Sequence, residues 1–252
     1  MKFTIALLAG ISNALITRQQ TYQYGKTEAQ HVQEIKSRNV EENPQEMWFN
    51  ATIDHFDNHG AGGATYPMRY LVDDTYFDKE KGPIIFYAGN EGDVWTFWDA
   101  SGFMHTTLAE EFGALVVFGE HRYYGESMPF GDQTFDRKNL DKLTVEQAMF
   151  DYVELIKSIK QTEGLEDRAV IVGGGSYGGM LSAWLRMKYP QWFQGALAAS
   201  APILFFDGYV DPYAYDDIAT GVYAKADANC PVSIKNGWDK LFEIKNDPSY
   251  YA

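Results

Sequence analysis

Val172 to Met180 reads VGGGSYGGM and is the densest piece of chemistry in the sequence. It contains G-x-S-x-G as Gly174-Gly175-Ser176-Tyr177-Gly178, between an apolar run that predicts a strand and a stretch that predicts a helix. In that setting the serine occupies a sharp turn whose flanking positions tolerate no bulky Cβ. The turn lifts the Ser176 hydroxyl to the C-terminal edge of a sheet and aims the Tyr177 amide where an oxyanion would form. The helix that starts there adds the positive end of its dipole. Nucleophilic acyl transfer is the chemistry that fits. A phosphate-binding turn is the rival, because Gly173 to Gly178 also satisfies G-x-G-x-x-G. That reading needs an acid at the end of the next strand, which instead runs Leu197-Ala198-Ala199-Ser200.

A second loop supports the serine. Gly89-Asn90-Glu91-Gly92-Asp93 follows the apolar run Pro83 to Ala88, where a hydrolase of this layout places its other oxyanion donor. An ordinary polar strand-to-helix loop is the plainer alternative for it.

These positions require a sheet whose strands end on one edge. Met47 to Asp54 alternates apolar and polar residues and predicts a strand; Met68 to Tyr76 predicts another, with the glycine-rich turn Asn58 to Thr65 between them. Pro83 to Ala88, Ala114 to Gly119 and Ala169 to Gly173 are short runs apolar on both faces, as in a covered parallel sheet, and Gln194 to Ala199 reads as the next strand. Helices are predicted over Gly102 to Phe112, Leu143 to Lys160 and Tyr177 to Tyr189, the last stopped by Pro190. Thr144 and Gln147 have the spacing of a capping box, followed by the apolar stripe Val145, Ala148, Met149, Tyr152, Ile156 and Ile159. The alternation of strand and helix predicts a mostly parallel α/β sheet with right-handed crossovers.

The 252 residues carry a net charge of −14, which disfavours nucleic acid and anionic lipid surfaces as partners. Residues 1–14, MKFTIALLAGISNA, have the short basic start, apolar run and small-residue end of an export signal, too short to span a bilayer. Residues 15–45 are polar and suit a pro-segment or linker. Asn50-Ala51-Thr52 is an N-glycosylation acceptor, consistent with export, and the lone Cys230 is odd for an exported chain. No cofactor is expected.

With Ser176 and the Gly89 loop in place, the sequence resembles peptidase family S28. The matching pieces are Phe49 to Phe56 (FNATIDHF), Tyr87 to Asp93 (YAGNEGD), Glu120 to Phe130 (EHRYYGESMPF) and Gly174 to Leu181 (GGSYGGML). The resemblance implies an α/β-hydrolase fold, a serine exopeptidase acting on proline-containing peptides, and an acidic working compartment, either a lysosome-like vesicle or the exterior. It implies Ser176 as nucleophile, the Tyr177 amide as one oxyanion donor, and Gly89, Asn90, Glu91 and Gly92 as the loop on the other side of the site. His121 and Arg122 fall in the matching motif and are expected to organise the surroundings of the nucleophile. Carboxypeptidase and aminodipeptidase modes both remain open, as does a homo-oligomer.

A serine nucleophile needs a histidine base and a carboxylate, in the order Ser, Asp or Glu, His. The histidines are His31, His55, His59, His105 and His121, all before Ser176. Either His105 or His121 acts as an unusual base, or the chain holds a hydrolase core over 46–206 and only the start of a helical cap over 207–252. Two further expectations follow: a non-catalytic relative of such an enzyme, or an esterase of the same fold. Against the esterase stands the lack of an HGGG-type loop.

Overall fold

The computed structural model describes residues 44–57, 64–247 and 249. The export signal, nearly all of the polar segment, His31 and His59 lie outside the described residues. The chain divides into two compact units, the first ending at Ala201 and the second beginning at Pro202.

The first unit is built on a six-stranded sheet of order β1-β2-β4-β3-β5-β6. Its strands are β1 (Gln45–Thr52), β2 (Thr65–Asp73), β3 (Ile84–Ala88), β4 (Leu115–Gly119), β5 (Val170–Gly175) and β6 (Gly195–Ala199). The first two form an antiparallel hairpin, β2 runs antiparallel to β4, and β4, β3, β5 and β6 are mutually parallel. The second strand starts at Thr65 and ends at Asp73, earlier at both ends than the apolar run from Met68 suggests. Thr65 and Tyr66 are paired with Thr52 and Ala51 across the hairpin, so the ladder extends into residues whose sequence reads as turn.

Every side chain of β3 and β4 is buried, as expected of strands covered on both faces. Ile84 and Phe86 pack on one face with Tyr152, Ile156, Leu181, Leu185 and Phe193. Ile85 and Tyr87 pack on the other with Val94, Trp95, Trp98 and Met104. The first face is covered by α3 (Val145–Glu163) and α4 (Tyr177–Lys188). Over the second lie α1 (Val94–Ala100), a π-helical turn at Phe103–Leu108 and the short α2 (Ala109–Phe112).

The helix expected over Gly102 to Phe112 is therefore partly π-helical, and α1 precedes it. Its seven residues, VWTFWDA, are too aromatic to show a helical period, but Asp93 caps it by accepting the Trp95 amide at 2.9 Å. Thr144 caps α3 by accepting the Gln147 amide at 3.3 Å. The other half of the capping box does not form, because the Gln147 side chain is drawn away: it accepts the His55 amide and donates to Asp54. Of the apolar stripe on this helix, Ala148, Met149, Tyr152, Ile156 and Ile159 are buried, and so is Asp151 between them.

The second unit is helical in its described part, with α5 (Ala214–Ala226) and α6 (Cys230–Lys245), neither of which buries a side chain. Cys230 is a free thiol at the start of α6. Among the described residues no helix is long and apolar enough to cross a membrane.

Candidate active site

Ser176 stands between β5 and α4, the position its flanking glycines call for. Its backbone has φ +56° and ψ −124°, a conformation that non-glycine residues rarely hold without an external reason. The residue is exposed and its hydroxyl makes no capping bond to the helix it precedes. Its amide donates to Ala199 O at 3.0 Å, so the end of β6 fixes the turn from one side. Two glycines make the turn possible. A Cβ on Gly174 would lie 2.4 Å from Gly178 O, and one on Gly178 would lie 2.7 Å from Ala88 O and 2.9 Å from Asn90 Oδ1. The elbow thus presses its backbone against the end of β3, where no side chain fits.

Phe86 is level with Val172 and Tyr87 with Gly173 in the parallel register, so the loop leaving β3 emerges beside the elbow. This is the Gly89 to Asp93 loop, and three anchors hold it. The Tyr152 hydroxyl donates to Gly89 O at 2.6 Å. Gly89 N donates to Gly119 O at 3.1 Å. At the far end the Val94 amide donates to Glu120 Oε1 at 2.9 Å. Asn90 is buried, with Nδ2 donating to Glu91 Oε2 at 2.9 Å, while its Oδ1 lies against the Gly178 backbone and has no hydrogen-bond donor among the described residues. Glu91 itself is exposed and Gly92 half-buried.

Glu120 is the hub behind the loop. Fully buried, it also accepts from Arg69 Nη2 at 2.6 Å, from Ser127 Oγ at 2.8 Å and from the Glu126 amide at 2.9 Å. Burial raises its pKa, opposed by the Arg69 guanidinium and these donors. Arg69 reaches on to Asp93, the cap of α1, and lies 3.5 Å from Glu46. One cation therefore ties β1, β2, β4 and the loop together.

His121 follows Glu120 and is buried. Its Nδ1 is 2.6 Å from Arg122 O, and since a carbonyl only accepts, Nδ1 carries the proton. Its Nε2 then accepts the Tyr177 hydroxyl at 3.1 Å. Burial lowers the pKa of this imidazole and so favours its neutral form. Both nitrogens are in use: Nδ1 is tied to the Arg122 backbone, and Nε2 holds the hydroxyl of the residue after Ser176. Arg122, fully buried, pairs with Asp151 through Nε and Nη2, each 2.7 Å away, and donates to Thr52 O, Ile53 O and Lys142 O. The turn that carries these side chains has Tyr123 at φ +69° and Gly125 at φ +56°. His105 lies elsewhere, its ring stacked on Trp98 at 3.9 Å and its Nε2 3.0 Å from Trp98 O. Asn50 is exposed on β1.

Sequence reasoning gave no site role to Arg69, Tyr152, Asp151 or His55, though each sits at a node of this scaffold. The available signal was polarity in the wrong place: an arginine inside the apolar run of β2 and an aspartate on the apolar stripe of α3. Buried charges are rarely found without partners.

A mostly parallel sheet wrapped by helices, with a strained serine between a strand and a helix at its C-terminal edge, is an α/β-hydrolase fold. The chain belongs to the serine carboxypeptidase S28 family, whose model matches residues 51–248. It is 47% identical over 212 residues to the Lysosomal Pro-X carboxypeptidase of Homo sapiens, covering 83% of this chain and 42% of that protein. The protein of the same name from Pongo abelii is 48% identical over an equal span, also covering 83% and 42%. Prolyl carboxy peptidase like protein 5 of Caenorhabditis elegans is 39% identical over 209 residues, covering 81% of this chain and 40% of that one. The chain thus spans about two fifths of the length of these relatives. Among solved structures, epoxide hydrolase VrEH1 from Vigna radiata matches at a TM-score of 0.41 with 16% identity, over 63% of this chain and 39% of that one.

Proposed function

We propose that Ser176 is the nucleophile of a serine-type exopeptidase acting on proline-containing peptides in carboxypeptidase mode, in an acidic vesicle or after secretion. The observation that carries the reading is the backbone of Ser176. A positive φ on an exposed serine, held between β5 and α4 by backbone contacts no side chain could share, is a costly way to build a turn and a direct way to present an oxygen. In the reaction Ser176 Oγ attacks the scissile carbonyl, and the Tyr177 amide and the Gly89 to Gly92 loop face the oxyanion that forms. Collapse of that adduct breaks the scissile C–N bond and expels the amine-side product, which takes up a proton; water then hydrolyses the acyl-enzyme to the acid and free Ser176. His121 keeps the Tyr177 ring in place. A general base is still required, and the described histidines are engaged elsewhere: His55 and His121 through both ring nitrogens, His105 on Trp98. To the described residues we assign the nucleophile and the oxyanion donors, and to none of their histidines the role of base.

The engaged histidines favour a second reading, a peptide-binding protein whose serine is unreactive. A fluorophosphonate probe separates the two. Labelling mapped to Ser176 and absent from Ser176→Ala supports the nucleophile. Labelling that survives that substitution overturns the assignment, and no labelling supports the second reading. A panel of prolyl peptides blocked at either end, beside short-chain esters, distinguishes carboxypeptidase, aminodipeptidase and esterase.

A further inference from the structure

His55 lies outside the elbow, in the turn that follows β1, and its side chain is almost completely buried. Its Nε2 is 2.8 Å from Asp151 Oδ1 and its Nδ1 is 3.6 Å from Glu154 Oε1, with the Phe150 ring stacked on its face at 5.4 Å. An imidazole facing a carboxylate at each nitrogen serves both only as the doubly protonated cation. The groups around it are Asp151 and Glu154 from α3, with Arg122 from the turn after β4 and Tyr66 from β2 sharing Asp151. Asp54, the neighbour in sequence, is turned away to Lys142 and Gln147. With His55 protonated, two cations balance two carboxylates. Without that proton the cluster, buried at Asp151 and part-exposed at Glu154, carries an unbalanced negative charge.

Asp151 is the shared node, and from it the contacts run toward the elbow. Asp151 holds the Arg122 guanidinium, Arg122 O receives His121 Nδ1–H, and His121 Nε2 receives the Tyr177 hydroxyl. We infer that His55 is a positioning residue for the elbow, an imidazolium that fixes Tyr177 through Asp151, Arg122 and His121 in acidic medium and lets this chain of contacts loosen as the medium becomes alkaline. The inference rests on Ser176 and Tyr177 forming the reacting pair.

The direction is set by competing effects. Burial works against the charged ring, while the hydrogen bond to Asp151 and the nearby Glu154 carboxylate outweigh it and raise the His55 pKa above 6.5. A raised histidine stabilises the fold fully below its unfolded value, and the contribution disappears as pH climbs past the folded one. The clamp is therefore closed in acidic medium as long as Asp151 and Glu154, both held below the usual carboxylate range, stay ionised.

The test uses the chain labelled with 15N-histidine, titrated from about pH 4.5 to about pH 9, with resonances assigned by single His→Gln variants. The expected result is that both His55 nitrogens stay protonated beyond the ordinary histidine range. The His121 Nε2 signal then shifts at the same midpoint as His55. A His55 that titrates at or below 6.5, or a His121 signal that ignores its midpoint, overturns the inference on the wild-type chain alone. The second readout is the rate of fluorophosphonate labelling of Ser176 in wild type and His55→Gln. At acidic pH the variant is expected to label about two- to thirtyfold more slowly, with the two rates converging on the alkaline side. Identical pH profiles, with labelling still lost in Ser176→Ala, would refute the role of His55 and leave the nucleophile standing. Labelling that persists in Ser176→Ala would remove the nucleophile instead.

Discussion

Replacing Ser176 by glycine should make the protein more stable than replacing it by alanine, the reverse of the usual order. At an ordinary exposed site glycine costs about 0.5–1 kcal/mol relative to alanine, through the freedom it gives the unfolded chain. Ser176 is not ordinary, because φ +56° with ψ −124° brings its Cβ into conflict with its own backbone, a strain of about 1–3 kcal/mol. Alanine keeps that Cβ and the strain with it. Since the hydroxyl makes no capping bond, Ser176→Ala should leave stability nearly unchanged. Glycine releases the strain, and the difference of the two effects is about 1 kcal/mol in its favour. For a chain of this size that is a rise of about 2–4 °C in melting temperature. The assay is thermal unfolding of the two variants side by side, both of which lack the hydroxyl and differ only in Cβ. If the glycine variant melts at or below the alanine variant, the backbone at Ser176 is relaxed and the argument from strain to function fails.

Two other substitutions test what supports the elbow. Gly178→Ala would push a methyl group into Ala88 O and Asn90 Oδ1, so a loss of about 1–3 kcal/mol and slower probe labelling of Ser176 are expected; urea unfolding at parental strength would refute the packing. Glu120→Gln leaves Arg69 facing a neutral amide and turns at least one donor toward another, for an expected cost of about 3–5 kcal/mol in the same assay. The double variant Arg69→Met, Glu120→Leu should recover part of that loss, and a Glu120→Gln loss below about 1 kcal/mol would show the cluster to be incidental.

The elements that surfaced in the sequence were those whose signals are local. The runs Pro83 to Ala88 and Ala114 to Gly119 became β3 and β4 because apolar stretches bounded by glycine have few alternatives. The Thr144 cap followed from one residue and its helix. Less was visible where partners are remote in sequence. Gln147 carries a capping signal, yet the amide of His55, 92 residues away, takes its side chain. Arg69 and Glu120 are 51 residues apart, and no spacing rule connects them. The helix at Val94 was hidden for another reason: three aromatic residues in seven leave no polar face from which to read a period. At the site, the serine and its glycines were legible because a tight turn restricts residue type. The scaffold behind them was not, since burial of a charge is decided by the whole fold.

The Arg122 guanidinium gathers carbonyls from Thr52, Ile53 and Lys142 and a carboxylate from Asp151, groups that lie 20 to 70 positions away along the chain. No short segment can assemble such a knot, and every loop that must close before it forms adds an entropic cost to the climb. Its bonds accordingly belong to the last steps of folding, after β1, β2, β4 and α3 have met. Energy that enters after the transition state leaves the folding rate almost untouched and slows unfolding instead. In this chain the knot's effect is duration: it sets how long a molecule, once folded, keeps its serine turn intact before it opens.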